Sequence, residues 1–216
     1  MHKLNRGPAP ACLRHYQADI HQWSKGVPTC AEKSDIWACL DVMQRGRCAY
    51  CEAELAHTDK HIEHFRQRSR YPAGTFDWSN LFGSCNRSDS CGRHKDSCGQ
   101  YNHADLVKPD QDDPDDYFVF VSDGTIAPRK GLSPSDSVRA HETLRVMNLD
   151  AAHGALRHMR RQAAIGYLQT AEEFQQFANA FDESEWRSML DEELAAIANL
   201  PFVTTIRHAL LGIRPS

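Results

Sequence analysis

A chain of 216 residues, 41% hydrophobic and 25% charged, has ordinary globular composition and is long enough for one sizeable core or a compact module with a helical companion. Its net charge of −4 excludes a uniformly basic nucleic-acid coat, and its densest apolar run, Tyr117-Phe118-Val119-Phe120-Val121, is far too short to cross a membrane. The charge is unevenly spread: residues 1–44 carry five basic and four acidic groups, residues 45–96 nine and seven, and residues 97–216 eleven and eighteen. A locally basic stretch, with Arg66, Arg68 and Arg70 closely spaced, inside an otherwise acidic chain suits contact with phosphates through one small surface.

The opening residues, Met1 to Pro8, hold no apolar stretch of the kind an export signal needs, so the expected compartment is the cytosol. Residues 1–46 read as a helical segment. One helix is expected from about Ala11 to Lys25, ending at Gly26. A second opens at Ser34 and places Ile36, Cys39, Leu40 and Met43 on one face before Gly46. Residues 47–104 are poor in apolar periodicity and rich in Cys, His, Arg, Gly and Ser. Such a stretch needs a covalent or metal staple.

Residues 105–216 begin with an acidic link, Lys108 to Asp116, followed by a short hairpin from Tyr117 to Val121 that turns at Asp123-Gly124 into Thr125-Ile126. Ser133-Pro134-Ser135-Asp136 combines an N-cap, a proline at the first helical position and an acid three residues on, which opens a helix. A long helical stretch is expected from Asp150 to about Phe181. Another, opened by Asp182, spaces Trp186, Met189, Leu190 and Leu194 along one face, and a last short helix follows Pro201 to about Gly212.

Five of the eight cysteines, Cys48, Cys51, Cys85, Cys91 and Cys98, fall in the middle segment. In a reducing compartment that clustering points to metal rather than disulfides. Cys48 and Cys51 form a C-x2-C knuckle, and Cys85 and Cys91 a wider C-x5-C pair, together suited to a structural four-cysteine zinc site. Cys98 is an alternative to Cys91 as the fourth ligand. Cys12, Cys30 and Cys39 are expected to be core or surface thiols.

Around these pairs lie Glu63-His64, Asn80 and His94. Hydrolysis of a phosphodiester needs a base for water, charge neutralisation at phosphorus and help for the leaving oxygen. An imidazole supplies the first near neutral pH, and a divalent ion with open positions supplies the others. His64 is the candidate base and Asn80 the group that orients it or its loop. Glu63 and His94 form an oxygen/nitrogen pair for Mg²⁺, Mn²⁺ or a similar ion. Lys95 and the Arg66, Arg68 and Arg70 cluster would hold the substrate backbone. His57, His61 and His103 are further candidates, His61 because it shares a strand face with Glu63.

At these residues the chain resembles the HNH endonuclease superfamily. The strings Arg47-Cys48-Ala49-Tyr50-Cys51-Glu52, Ile62-Glu63-His64-Phe65-Arg66 and Thr75 to Cys85 narrow the likeness. With Cys91-Gly92 through Asp96, Lys108-Pro109-Asp110 and Asp123 to Ile126, they are similar to the PtuB-type nucleases of Septu and retron anti-phage systems. The resemblance implies an α+β, mostly helical chain built on a ββα-metal module: a hairpin bearing Glu63 and His64, a loop with Asn80 and a short helix with His94. It also implies a nuclease effector acting with a separate PtuA-type SMC/ABC-like ATPase, and in some systems with a retron reverse transcriptase and its RNA. No G-x-x-x-x-G-K-[ST] motif occurs, so the chain is not itself a P-loop ATPase. The expected substrate is DNA. RNA, including tRNA, would be cut by the same groups, and a non-catalytic zinc-ribbon adaptor would need only the cysteines.

Overall fold

The computed structural model describes residues 1–213. Its architecture is α+β: eight α-helices and two separate two-stranded antiparallel sheets among the described residues. No helix among them is long and apolar enough to cross a membrane.

The N-terminal segment departs from expectation. Ala11–His15 makes only a 3-10 turn, and no helix covers residues 16–29. The reason is a shared aromatic target. Tyr16 stacks on Phe76 at 4.9 Å, and Trp23 reaches the same ring at 5.8 Å. Both rings pack on Phe76 with turns rather than helix in the backbone between them.

Helix α1 spans Cys30–Gln44 and starts before the expected Ser34. Thr29 caps it: the Thr29 hydroxyl accepts from the Glu32 N–H, and the Glu32 carboxylate accepts from the Thr29 N–H. Ser34 lies inside the helix, its hydroxyl donating to the Cys30 carbonyl. Ile36, Leu40 and Met43 are buried, and Arg45 closes the helix in the left-handed region.

Strand β1 (Lys60–His64) pairs antiparallel with β2 (Leu81–Cys85), with Glu63 opposite Phe82 and His64 opposite Leu81. Residues 65–80 loop between them, and α2 (Cys91–Ser97) follows β2. The core here joins Ile36 and Leu40 of α1 with Tyr50, Phe65, Leu81 and Phe82. It runs on without a break into Phe118, Phe120, Val146 and Met147. Residues from all three expected segments therefore meet in this core.

The acidic stretch 108–116 is not a loose link. Arg6 Nε donates to Asp110 Oδ2 at 2.6 Å, Lys108 Nζ lies 3.0 Å from Asp110 Oδ1, and the Leu4 N–H donates to the Pro109 carbonyl. The Asp110 carboxylate and the Pro109 carbonyl thus fasten the N-terminal residues. Short helix α3 (Pro114–Tyr117) leads into β3 (Phe118–Phe120), which pairs with β4 (Ile126–Pro128) across the expected turn.

Helix α4 (Pro134–Met147) opens as read, with the Ser133 hydroxyl accepting from the Asp136 N–H. The expected long helix is two: α5 (Ala155–Ile165) and α6 (Leu168–Ala180), broken at Gly166-Tyr167. The break lets α6 pack with α7 (Glu183–Ile197) and α8 (Val203–Leu210) around a second core of Phe174, Leu190, Ile197 and Ile206. Met189, expected on the buried face of α7, is exposed.

Candidate functional site

Four cysteine sulfurs converge. Those of Cys48, Cys51, Cys85 and Cys91 lie within 4.8 Å of one another, and all four residues are buried. Cys48 and Cys51 sit in a tight turn in which the Cys48 N–H donates to the Ala53 carbonyl. Cys85 ends β2 and Cys91 begins α2, so the wide C-x5-C spacing is a loop from strand to helix.

None is in a disulfide. The Cys51–Cys85 sulfur separation is 3.9 Å, close to the tetrahedral edge of about 3.8 Å expected for zinc–sulfur bonds near 2.3 Å. Burial pushes the Cys48 thiol up, but hydrogen bonds from the other three outweigh it and hold it well below its usual value. Cys51 is pushed well up by its bonds to Cys48 and Cys85, and Cys91 by burial. The set fits zinc, with every position filled by thiolate and a structural role. Cys98 stands apart, its sulfur on the Lys95 carbonyl, and Cys91 is the fourth member.

His64, at the end of β1, has Nε2 2.9 Å from the Thr75 carbonyl oxygen. A carbonyl only accepts, so Nε2 carries the proton and Nδ1 keeps its lone pair. Trp23 stands edge-on to the imidazole. Burial, aided by the charge of Arg68 and opposed by the Thr75 bond, lowers the His64 pKa to about 4. The ring is therefore neutral at pH 7 and able to take a proton.

Asn80 secures the loop that supplies this carbonyl. Its Oδ1 accepts from the Arg66 N–H at 2.7 Å, and its Nδ2 donates to the Arg66 and Gly74 carbonyls at 3.1 and 3.0 Å. Asn80 is fully buried, so these bonds operate free of competing water.

Glu63 and His94 are not brought together. Gly92 and Lys95 share the face of α2 that meets Glu63: a Cβ on Gly92 would lie 2.5 Å from Glu63 Oε2, and Lys95 Nζ is 2.8 Å from Oε1. His94 is turned about 200° from Gly92 around the helix. Its Nδ1 meets the Val146 carbonyl of α4 at 2.9 Å. Lys95, expected to grip a substrate, is fully buried as the counter-ion of Glu63; burial pushes its pKa down, but the Glu63 charge outweighs it and holds the ammonium above its ordinary value. The contact with Oε1 is ionic and lacks hydrogen-bond geometry.

The neighbour Glu63 does have is His61, whose Nε2 lies 3.2 Å from Oε2. Neither His57 nor His103 forms an ion pair with a carboxylate or belongs to a group of three or more metal-ligating residues among the described residues. Desolvation lowers the His103 pKa.

The three arginines are spread around the loop. Arg66 lies over the Tyr71 ring and pairs with Asp77, Arg68 donates to the Trp23 carbonyl, and Arg70 donates to the carbonyls of Gly99 and Tyr101. A depression of about 570 Å³ is lined by His21, Trp23, Gln67, Arg68, Thr75 and Asp96; His64 does not line it, but two of the lining residues, Trp23 and Thr75, contact its ring. Trp23 and Thr75 escaped the sequence reading, one because it lies some forty residues from His64, the other because it acts through its backbone. The His-x-Glu spacing of His61 and Glu63 was legible as a shared strand face.

No family model matches the chain, and no curated protein matches it.

Proposed function

We propose that this protein is a metal-dependent endonuclease of the HNH, ββα-metal type that hydrolyses phosphodiester bonds in DNA. In this reading it is the nuclease effector of an anti-phage complex whose ATPase, of the PtuA type, is a separate chain. The observation that carries the reading is the state of His64: neutral, one nitrogen fixed by the Thr75 carbonyl, the other free, and the supporting loop tied by Asn80. The strand–strand–helix frame of β1, β2 and α2, braced by four thiols, supports the same assignment.

In this mechanism His64 Nδ1 takes the proton from a water molecule as its oxygen attacks phosphorus, and the 3′ oxygen departs to leave a 5′ phosphate. The Thr75 carbonyl steadies the imidazolium that forms, because the Nε2–H bond strengthens when the ring becomes positive. Arg68, beside the depression, offers charge to a phosphate and carries no base-reading information. A divalent ion such as Mg²⁺ or Mn²⁺, were it held at Glu63, would supply charge neutralisation at the phosphate and the leaving oxygen. Glu63 and His94 do not meet, so no step is assigned to that pair.

The test is cleavage of plasmid DNA and of total tRNA in Mg²⁺ or Mn²⁺, with and without the ATPase, using His64→Ala as control. Cutting of DNA that vanishes in His64→Ala supports the proposal. Cutting of tRNA alone replaces the substrate. No cutting of either by a zinc-loaded, folded protein leaves a zinc-ribbon adaptor in its place.

A further inference from the structure

We propose that His61 and Glu63 together form the divalent-cation site of this protein, and that His94 lies outside it. This rests on the nuclease reading, and it relocates one ligand of the ion that reading requires.

Three observations converge on β1. First, His61 and Glu63 are two residues apart on one strand and project from the same face. The His61 Nε2 to Glu63 Oε2 distance is 3.2 Å. Two ligands bound at right angles to one ion at about 2.1 Å each would be about 3 Å apart, so the spacing suits a shared cation.

Second, the other nitrogen of His61 is already occupied. Nδ1 lies 2.9 Å from Asn86 Oδ1, and Arg93 donates to that same oxygen at 3.3 Å, which identifies it as the acceptor. Nδ1 therefore carries the proton, and the Nε2 lone pair is turned toward a carboxylate oxygen. Two electron-rich atoms facing each other call for a proton or a metal ion between them. An outer acceptor that fixes the tautomer is the usual accompaniment of a metal-bound imidazole.

Third, α2 shapes the pocket around the carboxylate. Lys95 takes Oε1, leaving Oε2 for the ion, and Gly92 supplies the bare backbone that lets Oε2 lie where a Cβ would sit 2.5 Å away. His61 is partly exposed while Glu63 is almost fully buried, so the pair opens to solvent on the imidazole side. A cation held there keeps positions for water or phosphate oxygen. A nitrogen and a single carboxylate with open positions is permissive for Mn²⁺ and Mg²⁺.

The test measures cation binding rather than cleavage. The full-length, zinc-loaded protein is titrated with Mn²⁺ and the free ion followed by electron paramagnetic resonance. His94→Ala should bind Mn²⁺ as the unmodified protein does, whereas His61→Ala should bind at least tenfold more weakly. Zinc content and thermal melting check that each variant is folded. In the unmodified protein, Mn²⁺ should broaden the His61 imidazole resonances at lower concentrations than those of His94, a readout needing no variant.

Equal binding by His61→Ala, loss of binding in His94→Ala, or preferential broadening of His94 overturns the proposal. The nuclease reading is judged separately by His64→Ala. DNA cutting that depends on His64, with Mn²⁺ binding indifferent to His61, removes only the cation assignment. Binding that depends on His61 in a protein that cuts nothing keeps the cation site and removes the nuclease.

Discussion

The indole of Trp23 stands perpendicular to the imidazole of His64, their ring centroids 4.7 Å apart. A residue outside the cysteine-rich module thus covers the candidate base, and burial is the largest cause of its low pKa. With a pKa of about 4 in place of 6.5, His64 is neutral throughout pH 6–8, and in the proposed role its contribution to cleavage would be flat across that range. Trp23→Ala admits water and raises the pKa toward 6.5, where about a quarter of the imidazole is neutral at pH 6. The variant is expected to lose up to about fourfold in rate between pH 8 and pH 6, while the unmodified protein changes less than twofold. Parallel acid limbs in both proteins would show that Trp23 does not set the titration of the base.

Removing a member of the thiol cluster separates Cys91 from Cys98. Cys91→Ser replaces one of four converging sulfurs, so zinc content falls and the melting temperature drops with it. Cys98, the C-cap of α2, is half-buried, with its sulfur on the Lys95 carbonyl and its side chain against the main core but away from the thiol cluster, and Cys98→Ser should retain one zinc per chain with stability within about 1 kcal/mol. Metal analysis by mass spectrometry of both purified variants decides the point. Equal zinc loss in the two would mean that the cluster accepts either residue.

The features legible in the sequence were those with local signals. The Ser133–Asp136 cap, the Asp123-Gly124 turn and the C-x2-C knuckle each depend on residues within a few positions of one another. The Thr29–Glu32 box is equally local, but it competes in the sequence with Ser34, a residue type that also bonds back inside helices. What stayed hidden depends on long-range packing. The path of Trp23 is set by Phe76, and the burial of Asp110 by Arg6, more than a hundred residues away. The placement of His94 turned on helical phase: Gly92 and Lys95 occupy the face toward Glu63, and a two-residue offset sends His94 to the other side.

Asn80 has a predictable cost. Asn80→Ala removes three hydrogen bonds from a fully buried position and leaves the Arg66 N–H and the Gly74 carbonyl without their partner. At about 1 kcal/mol per bond, urea unfolding should show a loss of about 3 kcal/mol. The loop also presents the Thr75 carbonyl to His64, so cleavage should slow at least tenfold with the change mainly in kcat. A stability loss with kcat unchanged would confine Asn80 to the fold.

Asp115 fastens α3 to α8, and its pH behaviour distinguishes which partner is charged. Its carboxylate contacts Arg207 and lies 3.2 Å from His208 Nε2, while His208 Nδ1 accepts the Phe120 N–H. The imidazole therefore uses one nitrogen as acceptor and the other as donor, as a neutral ring does. Burial pushes the Asp115 pKa up, but the bonds from His208 and Arg207 outweigh it and bring it from 3.8 to about 2. A carboxylate with a depressed folded pKa contributes stability that is complete above pH 3.8 and disappears as pH falls toward 2. Asp115→Asn should thus cost about 2 kcal/mol, and urea unfolding should give the same difference at pH 7 and at pH 5.5. If the difference instead grew on acidification to pH 5.5, where imidazoles charge, a protonated His208 rather than Arg207 would be the partner that stabilises the carboxylate.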